Sequence, residues 1–232
     1  MNPAAIPPEN PLSNVSSRRR VADRLLLHSH VQAVEQVTAH ITRVRIDTTN
    51  LATPDSTPGQ HVRVVVGNAP APKDWVRGQM RTYSIWEHTA THLDLIVFDH
   101  GHDGPGARWA RYVCPGHPVT FARPQGTLTA RPSDSHVFIG EETAPVPFGA
   151  ILRSLPADQP AHTILEVNGP ADQLPLPDDV RWHYRHGRSA ADSASLVEAV
   201  ANTDLPAPGT AYLAGEARTI QAVRNHLVQD RG

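Results

Sequence analysis

Arg81-Thr82-Tyr83-Ser84-Ile85-Trp86 is the segment on which the reading of the fold turns. Its apolar alternation predicts a strand over 80–86. Downstream, Asp99-His100-Gly101-His102-Asp103-Gly104-Pro105-Gly106 sets glycines and a proline immediately before a short helical pattern that runs to Tyr112. A cation, an aromatic ring and a hydroxyl on one strand, followed by a glycine turn opening a helix, suit a flavin dinucleotide. The ring can cover one face of the isoalloxazine and the hydroxyl can hydrogen-bond its edge. The arginine and the helix N-terminus can together neutralise a pyrophosphate. The tetrapeptide R-x-Y-S alone carries little weight, because strands contain it by chance. The order of the two segments carries the argument.

The surroundings of this strand read as β structure. Val31–Val37 and Ile41–Ile46 alternate with period two on either side of a polar turn. Pro58-Gly59 marks a turn before a strand over 61–66, and 67–78 reads as a loop. His92–Phe98 alternates again, and Pro118–Ala122 is the last strand before Pro124-Gln125-Gly126. Six strands and one small helix over 25–131 predict a closed antiparallel barrel. Residues 1–24 read as a disordered N-terminal tail, with Pro3, Pro7, Pro8, Pro11 and a solvated basic run, Arg18-Arg19-Arg20.

Past Pro132 the texture changes. Short apolar strands at His136–Gly140, His162–Val167, Arg181–Arg185 and Thr210–Ala214 alternate with helical patterns at Thr143–Leu155, Ala191–Asn202 and Ala217–Gln229. Pro145 and Pro147 fall in the first helical turn, where proline is tolerated. Strands alternating with helices predict a parallel sheet. The expected architecture therefore has two domains. An antiparallel six-stranded flavin-binding barrel is followed by a doubly wound parallel α/β nucleotide domain over 132–232.

Composition narrows the function. A net charge of −2 argues against generic nucleic-acid binding, which shows a basic excess. A single cysteine, Cys114, excludes an internal disulfide and a cysteine-ligated iron–sulfur cluster. Redox chemistry then needs an organic cofactor. No apolar run approaches the ~18 residues of a membrane helix, and the N-terminus lacks the apolar core of a secretory signal. A cytoplasmic monomer without membrane insertion is expected.

The ordered motifs resemble the siderophore-interacting protein family of flavin-dependent ferric-siderophore reductases, which follow the ferredoxin-reductase plan. The likeness spans residues 30–232 and rests on Arg81–Trp86, Asp99–Ala110, Gly140–Ala144, and Ala214–Ala217 with Arg224. The second of these, H-G-x-x-G-P-x-x-x-W-A, is the most specific. The resemblance implies FAD on the R-x-Y-S strand, with Tyr83 on the isoalloxazine, Ser84 near its N5 and Arg81 at the phosphates, and with Thr82 also among the cofactor-binding residues. It also implies that Asp99, His100, Gly101, Asp103, Gly104, Pro105, Gly106 and Trp109 form the second half of the FAD site. His100 and His102 have no further ligand cluster, so they read as solvated and no metal is expected.

Glu142, Thr143 and Ala144 follow the first parallel strand, at the strand end where such sheets bind ligands. By themselves they read as an acidic helix start. The resemblance implies that they meet a nicotinamide nucleotide, as do Gly215 and Glu216 at the end of the fourth strand. There is no G-x-G-x-x-G, so an ordinary dinucleotide-binding dehydrogenase is not supported. Arg185, His186 and Arg188 follow the third strand. They read either as solvated loop charges or as partners for a 2′-phosphate, which favours NADPH while leaving NADH possible.

A ferric siderophore is bulky and often anionic. Lys73, Arg77 and Arg123, from loops flanking the barrel, are the candidate substrate cations, and Gln125 stands where relatives often carry a basic residue. The chain stops at Gly232, directly after the last expected helix, where relatives usually continue with an aromatic-containing segment. The nicotinamide side of the flavin is therefore expected to be more exposed. In the implied reaction NADPH reduces FAD, and single electrons then reach Fe(III). Hard anionic oxygens hold Fe(II) far less tightly than Fe(III), so reduction releases the metal. That step needs no acid–base residue, and no catalytic residue is assigned. The alternatives are a flavin reductase with another acceptor and a flavin- or siderophore-binding module without turnover.

Overall fold

The computed structural model describes residues 26–51, 55–66, 80–99, 101, 103–177, 179–205 and 209–230. The tail 1–24, the loop 67–78, and with them Lys73, Arg77, His100 and His102, lie outside the described residues.

Six strands close into a barrel in the order β1-β2-β5-β4-β3-β6. They are β1 (Leu26–Thr38), β2 (Ile41–Asp47), β3 (His61–Val65), β4 (Met80–His88), β5 (His92–Phe98) and β6 (Pro118–Ala122), and every pairing is antiparallel. Alternate residues fill the interior. Val44, Ile46, Val62, Val64, Leu93, Leu95 and Phe121 are fully buried there. Closure leaves the barrel without free edges. Helix α1 (Pro105–Tyr112) covers one mouth, adding Ala110 to the interior cluster, with Val113 just beyond it and Trp109 packed against it.

β1 begins earlier than its alternation predicts. Leu26–His30 pair with β6, and from Val31 onward the strand pairs with β2, with register shifts at Val31/Ala33 and Gln36/Thr38. Half-buried Ser29 stands between the inward Leu27 and Val31, and this break in apolar alternation hides the first half of the strand.

The second half of the chain builds a parallel sheet in the order β10-β7-β8-β9. Its strands are β7 (His136–Gly140), β8 (Ala161–Val167), β9 (Val180–Tyr184) and β10 (Thr210–Ala214). β7 is buried along its whole length, as expected for a central parallel strand. Helix α2 (Pro145–Ser154) covers one face through Phe148 and Ile151, packed on Phe138, Leu165 and Tyr212. Helices α3 (Ala194–Ala201) and α4 (Ala217–Asp230) cover the other through Leu196, Val200 and Val223, packed on Val137, Ile139 and Ile164. The sheet is doubly wound. The single helix expected over 191–202 is split: a 3-10 turn (Ala190–Asp192) precedes α3, because the Ser193 hydroxyl accepts from the Leu196 amide and restarts the chain as a capped helix.

The two halves share a core. Ile41 and Ile96 of the barrel pack with Val146 and Leu174 of the α/β half, all at most 4% exposed. Among the described residues, no helix is long and apolar enough to cross a membrane.

Candidate functional site

Strand β4 pairs with β3 so that Ser84 opposes His61, Tyr83 opposes Val62 and Arg81 opposes Val64. Pairing partners share a face, which puts Tyr83 and Arg81 on the side of the barrel interior and Ser84 on the outer side. The Tyr83 ring lies 5.7 Å from that of Trp109, tilted by 33°. Its hydroxyl is buried and, among the described residues, makes no hydrogen bond. Burial pushes the phenol up to about 12, against the opposing influence of Arg81.

The first turn of α1 meets this hydroxyl. A β-carbon at Gly106 would lie 2.7 Å from the Tyr83 oxygen and 3.5 Å from Cγ of Arg81. Gly104 starts the helix without a side-chain cap and Pro105 takes its first position. The α1 start therefore offers a positive dipole end beside an arginine and an unpartnered hydroxyl.

Asp99 fixes the loop before this helix. It accepts two hydrogen bonds from Arg111, at 2.6 and 2.8 Å, and one from the Gly101 amide at 3.0 Å. The Arg111 hydrogen bonds, helped by the Gly101 amide, hold the Asp99 carboxyl down at about 2. Asp103 pairs with Arg108 at 3.2 Å. These two acids tie the loop to α1.

On the outer face, the register continues from Ser84 across His61 to Gln125, which forms an isolated bridge with His61. Burial lowers the His61 imidazole, with Arg63 adding to the effect. Arg123 is half-buried nearby in sequence. His61 was not singled out from the sequence; its place in the strand alternation, directly across from Ser84, is the signal that marks it.

A cleft of about 640 Å³ separates the halves at the C-terminal ends of the parallel strands. His40, Phe98 and Asp99 line it from the barrel, and Glu142, Asn168, Arg185 and Arg188 from the sheet. Among the described residues, neither Tyr83 nor Ser84 lines it. Arg185 is only 6% exposed. It hydrogen-bonds Glu142, and its buried Nη1 lies 3.9 Å from Glu166 without a hydrogen bond. Glu166 is fully buried and accepts from Ser193 and Ser195. The charge of Arg185 is thus spent inside the fold. Arg188 is exposed and, among the described residues, donates from its Nε to the Arg185 carbonyl at 3.0 Å.

Glu141, buried beside Glu142, accepts from the Thr143 hydroxyl at 2.6 Å and from its amide at 3.2 Å. Burial raises the Glu141 carboxyl, against the Thr143 hydroxyl, and the neighbouring Glu142 adds to the rise. Ala144 is buried at the start of α2. Gly215 backs onto the Glu141 side chain, where a β-carbon would lie 2.5 Å from Cγ. Glu216 accepts from the Arg218 amide at 2.8 Å and the Thr219 amide at 3.2 Å, so it caps α4. Glu166 was not singled out from the sequence, since an acid inside an apolar strand gives no sign of what neutralises it.

Glu87, His92 and Asp94 come close enough to hold a metal ion. Asp94 is instead bound by Arg43 and Arg45. Burial alone would raise its carboxyl, but the two arginine hydrogen bonds outweigh it and the net direction is down. An ion-pair network accounts for the cluster.

Residues 30–128 match the siderophore-interacting FAD-binding domain, and residues 133–232 match the siderophore-interacting protein family. Uncharacterized proteins of Mycobacterium tuberculosis and Mycobacterium bovis are 33% identical over 154 residues, covering 60% of this chain and 54% of theirs. The chain spans about half the length of these curated relatives. A siderophore utilization protein from T. fusca superposes with a TM-score of 0.75 at 23% identity, over 89% of this chain and 87% of its own. The siderophore-interacting protein SipS from Aeromonas hydrophila gives 0.73 at 25%, over 88% and 85%. Phthalate dioxygenase reductase shares the fold, with a TM-score of 0.68 at 15% identity over 90% and 66%.

Proposed function

The chain belongs to the siderophore-interacting protein family, and from that premise we propose that it is a flavin-dependent reductase that passes electrons from NADPH to ferric siderophores. One observation carries the reading. The buried, unpartnered Tyr83 hydroxyl faces the start of a helix that has no side-chain cap. A flavin dinucleotide fits both needs, with a polar partner for the hydroxyl and anionic oxygens for the helix end.

In this reading Arg81, Thr82, Tyr83 and Ser84 hold FAD with the loop from Asp99 to Gly106 and with Trp109. FAD, when bound, supplies a carrier that accepts electrons in pairs and releases them singly. The chain's own residues do the rest. Asp99 and Arg111 hold the glycine loop in place. Glu142, Thr143 and Ala144, with Gly215 and Glu216, form the crest that receives the nicotinamide nucleotide. Arg188 faces the cleft as the cation for a 2′-phosphate, and buried Arg185 supports its turn. Arg123, with Lys73 and Arg77, attracts the anionic chelate. No side chain needs to move a proton when an electron reaches the iron, because the chelate keeps its own oxygen ligands until Fe(II) leaves. A reductant drawn from NADPH fits a cytoplasmic location.

The test is ferrous trapping. FAD-loaded protein and NADPH, without oxygen, are mixed with a panel of ferric hydroxamates and catecholates and a colorimetric Fe(II) chelator. Fe(II) is expected from at least one of them. A reduced flavin that yields Fe(II) from none would leave a flavin reductase with another acceptor.

A further inference from the structure

We propose that Trp86 is a positioning residue that sets the flavin strand against the nucleotide crest for hydride transfer, an inference that rests on the reductase reading. In that transfer two electrons and a proton leave the nicotinamide together and arrive on the flavin. The two partners sit on different domains, so something must fix the distance between them. A misplacement of about 1 Å can cost about a hundredfold in rate.

Trp86 stands at a β-bulge. Ile85 pairs with Leu95 and Glu87 with Asp94, so β4 carries one residue more than β5 at this point. A bulge of this kind re-aims side chains and is common beside active sites. Here it puts two consecutive side chains on the outer face. Glu87 goes to Arg43, and Trp86 goes to α2. The Arg153 guanidinium lies 4.0 Å from the Trp86 ring centroid and donates to the Trp86 carbonyl at 2.6 Å. One side chain thus grips both the ring and the backbone of β4. Partial desolvation against the Trp86 ring lowers the Arg153 pKa, although the side chain stays exposed.

Gly149 completes the contact. A β-carbon there would lie 2.9 Å from Cζ3 of Trp86 and 2.5 Å from Cδ2 of Leu176. A β-carbon at this position would require Leu176 or the Trp86 ring to shift. Trp86 is two residues beyond Ser84, roughly 7 Å along the strand. Gly149 is four residues into α2, roughly 6 Å along the axis from Pro145, and α2 follows directly on Glu142, Thr143 and Ala144. The contact therefore joins the strand of the proposed flavin site to the helix that begins at the proposed nucleotide crest. The shared core of Ile41, Ile96, Val146 and Leu174 lies beside it and makes the joint rigid.

The test uses the FAD-loaded protein and the variants Trp86→Ala, Trp86→Phe and Gly149→Ala. Three quantities are read: flavin affinity by fluorescence quenching, the long-wavelength charge-transfer absorbance on adding NADP+ to the chemically reduced, oxygen-free protein, and the anaerobic rate of flavin bleaching by NADPH. Trp86→Ala and Gly149→Ala are expected to keep flavin affinity within about threefold. They should lose the charge-transfer band and slow bleaching by about ten- to a hundredfold. Trp86→Phe should recover most of both. A wild-type band and rate in Trp86→Ala and Gly149→Ala would overturn the proposal. So would a loss of flavin affinity that accounts for the whole rate effect. If Trp86→Ala fails to fold, Gly149→Ala and Trp86→Phe decide the matter alone. Wild-type protein that NADPH does not bleach would instead remove the reductase reading itself.

Discussion

The phenolic oxygen of Tyr83 stands 2.7 Å from the point where a β-carbon on Gly106 would lie. The contact joins the strand and the helix of the proposed flavin site, and neither side has slack. The tyrosine ring is held by Trp109 and the barrel core. Gly106→Ala should therefore push α1 or the ring aside, at a cost of about 1–3 kcal/mol for overpacking. The expected result is protein purified with much less flavin, read as the visible-to-ultraviolet absorbance ratio. Full flavin content in the variant would contradict it.

Asp99 and Arg111 give a prediction in pH. The Asp99 carboxyl is held at about 2 when folded, against ~3.9 for an unperturbed aspartate. A depressed pKa contributes stability that is present above pH ~4 and is lost as pH falls through the folded value. The melting temperature of Asp99→Asn should lie below wild type at pH 6. The gap should narrow between pH ~4 and ~2. A gap that stays constant across that window would exclude the clamp as its source.

Buried Arg185 lies between Glu142 and Glu166. Arg185→Met removes the buried cation that both carboxylates face. Breaking a buried pair from one side costs about 3–5 kcal/mol, so the urea midpoint should fall sharply. A midpoint near wild type would show that Glu142 and Glu166 find other partners.

Arg188 bears on nucleotide choice. Arg188→Ala should weaken NADPH binding about tenfold, equivalent to ~1.4 kcal/mol for one charge-assisted contact. NADH binding should be unchanged. Equal effects on both nucleotides, by fluorescence titration, would remove the 2′-phosphate from this turn.

Most of the fold was legible because both periodicities are clean. β5, β6 and β10 follow their sequence patterns residue for residue. The first half of β1 was hidden by Ser29, and the α3 start by Ser193, whose hydroxyl restarts the helix. The candidate site was legible where a motif fixes local backbone, as with Tyr83 and the glycine loop. It was not legible where the chemistry depends on residues far apart in sequence. Nothing near Arg185 announces that Glu142, 43 positions away, will neutralise it. Nothing near Trp86 announces Arg153. The sequence shows that the charges and rings are there, but their pairing is decided by how the barrel and the sheet dock.

The most direct measurement is an anaerobic titration of the FAD-loaded protein with NADPH, followed by addition of a ferric siderophore. The oxidised flavin band should disappear with NADPH and return with the chelate, as Fe(II) appears in proportion to the electrons removed. A flavin band that survives excess NADPH, or protein that retains no flavin when saturated with it, would contradict the account.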